Sequence, residues 1–266
     1  MSALAARLRN LRLESPDRLP FGLLVGWLLA MISLPIARWT FGDAATPIAL
    51  SVGVLFQVAV GTAFLLQRWS VWRVLRTALT VALIGWLVEW LGHTTGFPFG
   101  FYSYTERLQP QLGGVPLLIP LAWLMMLPPA WAVAFSITQP LAAKPLVRRL
   151  AFIAVSALAF TAWDLFLDPL LVAWDFWRWQ AVGAYFGIPL SNYGGWLFAS
   201  ALMTAVTLPR ADLPRRPLLF LYGATWFFMT GGVTLFWGLV GAGMVGSAVM
   251  GGFLVAALWF GRERAA

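Results

Sequence analysis

Two pairs of ionisable residues lie four positions apart inside segments that are otherwise apolar. Glu89 and His93 form one pair, in EWLGH, and Asp164 and Asp168 form the other, in AWDLFLDP. Residues at i and i+4 share one face of a helix, so each pair presents two side chains to the same surroundings. An ionisable group within a membrane span costs about 2.5–3.5 kcal/mol on insertion scales, which makes all of them candidates for function.

These residue types suit acid-initiated chemistry in an apolar pocket. Burial favours the neutral form of a carboxyl group, and two charged acids on one helical face repel each other. We therefore expect the Asp164–Asp168 pair to hold a proton near neutral pH. A neutral acid in a dry site can protonate an alkene, and the faces of Trp, Tyr and Phe stabilise the resulting carbocation. Glu89 or His93 would then deprotonate an incoming water as a general base.

Each candidate also has a structural interpretation that the sequence leaves open. Glu89 could bond a backbone group at a helix kink, and His93 could cap the end of its span at the interface. Asp168 precedes a proline and could end a helix facing water. The aromatic residues around 97–104 and 174–186 could form the belt that Trp and Tyr make at a membrane surface.

The composition requires elements that cross a membrane. Of 266 residues, 61% are apolar and 11% are charged, against about 25% charged in soluble domains. Apolar runs of about 20 residues recur, each long enough to span roughly 30 Å of hydrocarbon. We predict a single integral membrane domain over 1–266, an all-α polytopic bundle in contact with the lipids of the cell membrane. Cysteine is absent, which excludes disulfides, thiolate catalysis and cysteine-ligated metals.

Eight transmembrane spans are predicted from these runs. They cover about 20–38, 46–67, 73–93, 115–137, 147–169, 193–209, 218–238 and 241–260. The last two are separated by a short Gly-rich turn and could form a helical hairpin.

The basic residues predict the orientation of the bundle. Of 18 Lys and Arg residues, all but Arg38, Arg107 and Arg178 lie in the two termini or in alternate connections. This asymmetry predicts that both termini are cytoplasmic. We expect Arg107 and Arg178 to be interfacial anchors or ion-pair partners. The net charge of +8 comes from these Lys and Arg residues in the termini and connections. They form no basic stripe, so we expect no nucleic-acid partner.

Two long connections on the opposite side, about 94–114 and 170–192, are rich in aromatic residues. Loops in water are usually polar. We therefore expect these loops to lie in the headgroup zone or to re-enter the bundle, where irregular backbone is tolerated if protein covers it.

Three motifs in this order carry a family resemblance. They are EWLGHTTGFPFGFYSYTERLQPQLGGVPLLIPLAW (89–123), TAWDLFLDP (161–169) and YFGIPLSNYGGW (185–196). The chain resembles the CruF-type carotenoid 1′,2′-hydratases, a membrane-embedded group that includes the bisanhydrobacterioruberin hydratases. The resemblance implies that water adds to the terminal double bond of an acyclic carotenoid ψ-end, drawn from the bilayer, giving a tertiary 1′-hydroxyl without a cofactor.

Within the matching motifs we assign roles residue by residue. Asp164 or Asp168 would donate the proton, and Glu89, with His93 beside it, would position water. Asn192 and Tyr193 would order water. Aromatic residues in or near the motifs are the candidates for contact with the polyene end. They are Phe97, Phe99, Tyr102, Tyr104, Trp163, Trp174 and Trp177.

Three other functions remain compatible with the sequence. A UbiA-like prenyltransferase would use the DxxxD pair for a magnesium diphosphate, although such sites need two acidic motifs and several cations, and here there is one motif with only Arg107 and Arg178 on that side. A proton-initiated carotenoid cyclase would share the first step and differ in its product. A carotenoid-binding or transport protein could use acids within its spans for proton coupling. Carboxylate and imidazole could also ligate a metal, but one histidine is thin support and we predict none.

Overall fold

Eight α-helices dominate the computed structural model, which describes residues 18–139, 141, 144–209 and 212–262. They are α1 (Arg18–Phe41), α2 (Thr46–Leu66), α3 (Val71–Thr95), α4 (Leu118–Thr138), α5 (Pro145–Ala173), α6 (Leu190–Thr207), α7 (Arg215–Gly231) and α8 (Val240–Arg262). A 3-10 turn (Asp43–Ala45) precedes α2, and a π-helical turn (Gly232–Phe236) extends α7. The short strands are β1 (Tyr102–Tyr104), β2 (Gln111–Leu112), β3 (Val115–Pro116) and β4 (Trp177–Trp179).

Seven of these helices are long and apolar enough to cross a membrane, which confirms a multi-pass, all-α membrane protein. The helix outside that group is α6, at the predicted sixth span. It has 18 residues and begins Leu-Ser-Asn. It packs against α3 and α5, while Phe198, Leu202 and Val206 form an exposed apolar face. The polar residues Ser191 and Asn192 in its first turn shorten its apolar length.

Eight helices that each cross the membrane would place the start of α1 and the end of α8 on the same side. The cytoplasmic location of that side stays a prediction. The last two predicted spans are separate helices, α7 and α8. Some of the basic residues used for the orientation lie outside the described part of the chain, namely Arg7, Arg9, Arg12, Arg210 and Arg264.

The helices α4 and α5 form the centre of the bundle. In their most apolar windows 78% and 61% of residues are buried, against 22% for α8. The α5 helix continues one turn beyond Pro169. A proline removes one backbone hydrogen bond from a helix interior, and here the Tyr185 hydroxyl donates to the freed carbonyl oxygen of Leu165 at 3.0 Å.

The two aromatic connections pair with each other at one end of the bundle. Strand β1 is antiparallel to β4, with Tyr102 opposite Trp179 and Tyr104 opposite Trp177. We call this two-stranded element, Tyr102–Tyr104 with Trp177–Trp179, the aromatic ribbon. The expected irregular loops therefore include regular structure, because pairing satisfies backbone groups that would otherwise lie unbonded against apolar surroundings.

Ion pairs lie at the same end as the aromatic ribbon. Arg107 Nη2 is 2.6 Å from Asp43 Oδ2, and Arg178 contacts both carboxylate oxygens of Asp175 at 2.6 and 2.8 Å. The hydrogen bonds from Arg178 lower the pKa of the Asp175 carboxyl. The predicted ion-pair role of both arginines is confirmed.

Phe99 anchors the first aromatic connection between two helices. Its side chain is 1% exposed and lies between Gly92 of α3 and Gly195 of α6. A Cβ atom at Gly92 would lie 2.6 Å from the Phe99 ring, and one at Gly195 would lie 2.4 Å from it. Both positions therefore require glycine for the ring to dock.

We predict that Gly195→Ala lowers the thermal stability of the purified protein, whereas Gly194→Ala does not. The added methyl group at Gly195 would overlap the Phe99 ring, and overpacking costs about 1–3 kcal/mol. At Gly194 a Cβ atom would meet nothing within 4 Å. Unfolding in detergent, followed by circular dichroism, compares the two variants. Equal stability would contradict the docking of Phe99 described above.

Candidate functional site

Glu89 is buried inside the bundle and bonded by three donors. Its side chain accepts hydrogen bonds from the hydroxyls of Tyr102 (2.5 Å) and Tyr104 (2.7 Å) at Oε2. The indole N–H of Trp123 donates to Oε1 at 2.9 Å. Residue Glu89 is 4% exposed. The structural alternative of a single backbone bond at a kink does not describe this arrangement, in which donors from β1 and α4 surround the whole carboxyl group.

The two tyrosines keep their hydroxyl protons. Burial, and then the charge of Glu89, raise the pKa of Tyr102 and of Tyr104 well above the usual value. Both hydroxyls are therefore donors to Glu89, and donors favour the charged, accepting form of a carboxyl group. The strand β1 places them side by side, with ring centroids 5.4 Å apart.

Asp168 has an equivalent set of partners from the other half of the aromatic ribbon. The indole N–H groups of Trp177 (2.7 Å) and Trp179 (3.2 Å) donate to Oδ1. The Asn192 amide donates to Oδ2 at 2.5 Å. Asp168 is 1% exposed, so the interpretation of a helix-end residue facing water is wrong. The continuation of α5 past Pro169 keeps it inside the bundle.

Asp164 shares its partner with Asp168. The Asn192 side-chain nitrogen also donates to Asp164 Oδ2, at 2.9 Å. The predicted common face of the two acids is therefore confirmed, since one amide nitrogen contacts both. Asp164 is fully buried, and its Oδ1 atom has no hydrogen-bond partner among the described residues. A buried oxygen without a donor favours a carboxyl group that carries a proton over one that is charged.

Glu89, Asp168 and Asn192 line one large cavity. Its empty volume is about 1350 Å³, measured out to its open side. The walls are overwhelmingly apolar and come from α1 to α7, and none of the lining residues within the described ranges is basic. The predicted contact residues that line it are Phe99, Tyr102, Tyr104, Trp163, Trp174 and Trp177.

A stack of aromatic rings that we did not predict stands beside the acids. Trp123 lies 4.6 Å from Trp196 and 4.9 Å from Phe160, centroid to centroid, in stacked geometry. Trp163 meets the Trp196 ring edge-on at 6.0 Å. Trp123 and Trp196 end two of the three motifs, which was the signal available in the sequence. Trp179 of β4 was missed because its strand partner lies far away in the chain.

Besides Asp164, which stands behind Asp168, three predicted site residues lie outside the cavity wall. His93 is partly buried and packs on the turn at Gly114, where a Cβ atom would lie 2.5 Å from its Nε2. Phe97 is 61% exposed and packs against Phe198. Tyr193 packs against Tyr185, with ring centroids 5.2 Å apart. None of these three residues lines the cavity. Their roles in catalysis or binding remain predictions.

The arrangement offers two carboxyl groups, with a third close behind, at the wall of an apolar aromatic cavity. No group of three or more His, Asp or Glu side chains in the described part of the chain is placed to hold a metal ion. Acids here can exchange protons with an apolar guest, and the ring faces can stabilise positive charge on it.

Comparisons with known proteins identify the family of the chain. Residues 49–257 match the family model described as "Carotenoid biosynthesis protein". The chain is 31% identical over 185 residues to the bisanhydrobacterioruberin hydratase of Haloarcula japonica. That match covers 63% of this chain and 61% of the relative, so the chain spans less than two thirds of that protein. No solved structure matches the chain.

We predict that Glu89→Gln lowers the free energy of unfolding by roughly 1–3 kcal/mol, the cost of disrupting buried, charge-assisted hydrogen bonds. The matched control is Glu106→Gln, since Glu106 bonds Gln109 in an exposed position. Thermal unfolding of both variants in one detergent measures the difference. If Glu89 were protonated in the native state, glutamine would be nearly isosteric and the two variants would behave alike.

Proposed function

The chain belongs to the carotenoid biosynthesis protein family, and from that premise we propose that it is a carotenoid hydratase, a hydro-lyase embedded in the membrane. Its substrate would be an acyclic carotenoid end, and its product a tertiary alcohol. The observation that carries the proposal is the cavity in which Glu89 and Asp168 share apolar, aromatic walls. The name of the relative from Haloarcula japonica supports the same reaction class.

The cavity fits the end of a polyene. The hydrocarbon ψ-end of an acyclic carotenoid has no polar group to hold in place, so shape and apolar contact must position it, which is the usual character of small-molecule sites. Trp163, Trp174 and Trp177 would contact the end of the chain. The rest of a C40 or C50 molecule would extend through the open side of the cavity toward lipid.

The first step is transfer of a proton to the double bond. Asp164 and Asp168 contact the same amide nitrogen, and two charges so close would repel, so the pair holds one proton. Asp164, whose Oδ1 has no donor among the described residues, carries this proton at rest. The proton passes to Asp168, the member that lines the cavity, and Asp168 delivers it to the less substituted carbon. The π electrons form the new C–H bond, and the tertiary carbon is left positive.

The second step is capture of water by the cation. Glu89 accepts bonds from three donors and is suited to the charged form, so it acts as the general base. A water lone pair forms the C–O bond to the tertiary carbon, and Glu89 takes one water proton. That proton replaces the one given by Asp168 once the acids re-equilibrate, and the net change is the addition of one water.

The aromatic walls would stabilise the carbocation that exists between the two steps. A tertiary cation is attracted to ring faces, an interaction worth about 2 kcal/mol or more when water is excluded. The stack of Trp123 and Trp196 stands at the level of Glu89, because the Trp123 indole bonds that carboxyl group directly.

The rival interpretations have less support. A prenyltransferase must neutralise a diphosphate, and the cavity has no basic lining residue among those described. A cyclase would share the proposed protonation and differ only in whether a double bond or a water captures the cation. The product separates these cases.

We predict that lycopene-producing cells expressing the chain accumulate a carotenoid heavier by one water. Growth in H₂¹⁸O should place ¹⁸O in the new hydroxyl, as seen by mass spectrometry of extracted pigments. Cells with an empty vector provide the control. An isomeric cyclic product would replace the hydratase proposal with a cyclase, and unchanged pigment with lycopene, γ-carotene and C50 precursors would refute the proposed activity.

We predict that Asp168→Asn lowers turnover by at least about 100-fold, the usual range for loss of a general acid. Asp164→Asn should cause a comparable loss, because the shared proton is no longer held. Glu89→Gln should divert the cation to cyclised or isomerised products. The assay is pigment conversion per amount of inserted protein.

Asp175→Asn is the matched control for these substitutions. Asp175 is partly exposed, pairs with Arg178 and has a positive φ of 57°, a conformation that asparagine also adopts. Its turnover should equal that of the parent protein. Full activity of Asp168→Asn would remove Asp168 as the proton donor.

A further inference from the structure

Arg38, near the end of α1, departs from the charge pattern of the chain and has no part in the proposed reaction. It is one of the three basic residues outside the termini and the alternate connections that carry all the others. Arg178, another of the three, forms a two-point ion pair with Asp175 at 2.6 and 2.8 Å. Arg38 instead shares its acid with Arg107, so its charge needs a separate explanation.

Asp43 is the acid that the two arginines share. Arg38 Nη2 is 2.9 Å from Asp43 Oδ1, and Arg107 Nη2 is 2.6 Å from Asp43 Oδ2. Two guanidinium groups and one carboxylate leave one positive charge in surplus. Arg38 Nη1 is buried and has no hydrogen-bond partner among the described residues. Because an unbalanced charge that is partly buried is costly, this cluster is suited to bind a further anion.

The surplus charge lies beside a small pocket, at the end of the bundle that carries the aromatic ribbon. Its empty volume is about 610 Å³, measured out to its open side, and Arg38 is the only charged residue among the described residues that line it. The Arg38 side chain is 25% exposed, so a ligand in the pocket can reach it.

Two aromatic rings hold the guanidinium group in place. Its carbon atom lies 5.0 Å from the ring centroid of Trp174 and 5.4 Å from that of Trp237. The two rings meet edge to face, with centroids 5.0 Å apart. A guanidinium group in a fixed position presents its N–H donors in the planar arrangement that binds phosphate oxygens in pairs. The pocket therefore fits a phosphate group.

The rim of the pocket continues into an exposed apolar surface. Trp39 lines the pocket, is 61% exposed and packs against Phe236 with ring centroids 5.3 Å apart. Ile32 and Ile36 are exposed as well, and their spacing from Trp39 places all three on one face of α1. A molecule with its phosphate at Arg38 would find an apolar stripe along α1 for hydrocarbon chains.

We propose that the pocket at Arg38 is a headgroup site for an anionic phospholipid, which places its phosphate on Arg38 and its acyl chains along Ile32 and Ile36. The phosphate balances the surplus positive charge of the cluster. Trp174 and Trp237 line both this pocket and the large cavity, so the bound lipid lies against the outer side of the cavity wall. The site does not depend on the proposed hydratase function.

The alternative role for Arg38 is a structural one, in which it only joins α1 to the rings of Trp174 and Trp237. A structural link would treat lipids of different charge alike, whereas a phosphate site with surplus positive charge prefers an anionic lipid. The ratio of two dissociation constants therefore separates the two roles.

The experiment measures the Kd of phosphatidylglycerol and of phosphatidylcholine with the same acyl chains, by native mass spectrometry of the purified protein in an uncharged detergent. The parent protein should bind phosphatidylglycerol about tenfold more tightly, the factor that corresponds to one charge-assisted hydrogen bond. Phosphatidylcholine binds less well because its choline group brings a second positive charge to Arg38. In Arg38→Gln the ratio of the two Kd values should fall to about one.

Arg178→Gln is the matched control. It removes an exposed arginine at the same end of the bundle that does not line the pocket, so it should keep the ratio of the parent protein. Equal Kd values for the two lipids in the parent protein would overturn the inference without any substitution. A preference that survives Arg38→Gln would overturn it as well.

Asp43→Asn tests the same charge balance in the opposite direction. The substitution removes the carboxylate that competes with phosphate for Arg38, so phosphatidylglycerol should bind more tightly than it does to the parent protein. Weaker or unchanged binding would contradict the proposed charge balance. An excess of inorganic phosphate should not displace phosphatidylglycerol, because the free ion has no chains to lie along α1. Displacement would overturn the assignment of the pocket to a lipid.

Discussion

Carboxyl groups inside a membrane protein need hydrogen-bond donors, since neither lipid nor apolar side chains supply any. Here most of those donors are aromatic, with the Asn192 amide as the exception. Tyr102 and Tyr104 bond Glu89, and Trp177 and Trp179 bond Asp168. Each of these side chains has a large apolar surface and one polar atom, so it can lie against a hydrocarbon ligand while satisfying an acid. This explains why the connections are aromatic where most loops are polar.

The need for hydrogen-bond donors also links the acids to the aromatic ribbon that covers them. The four donors belong to the aromatic ribbon, so the acids are satisfied only when β1 and β4 are paired and docked on the bundle. Phe99 holds the ribbon against α3 and α6, in a space that depends on glycines. A ligand that enters the cavity therefore meets acids whose orientation is already set, and organisation before the reaction is the main source of electrostatic catalysis.

The sequence predicted the parts of this arrangement that depend on local spacing. The helices follow from apolar runs, and the common face of Asp164 and Asp168 follows from i, i+4 spacing. The pairing of Glu89 with His93 followed from the same rule but did not extend to the cavity, because His93 lies one turn nearer the helix end and packs on Gly114. Helical spacing predicts on which face of a helix a residue lies, but it does not predict what packs against that face.

The remaining features depend on contacts between distant parts of the chain. The continuation of α5 past Pro169 relies on a hydroxyl from Tyr185, and local rules for proline place a helix end there instead. The strands β1 and β4 have three residues each, too few for a periodic signal, and β2, β3, α4 and α5 lie between them in the sequence. The hydrogen bond from Gln57 of α2 to Thr225 of α7 likewise arises only from packing of two helices that are far apart in the sequence.

The hydrogen bonds also bear on how water would be used in the proposed reaction. Glu89 and Asp168 each have three protein donors, so little of their accepting capacity is left for bulk water. The tyrosine hydroxyls, having donated to Glu89, still have lone pairs that can accept. A water that donates to one of these hydroxyls or to Glu89 directs its own lone pair into the cavity. A cation formed beside Asp168 would therefore meet one oriented water and otherwise only ring faces, which favours a single alcohol over a mixture of products.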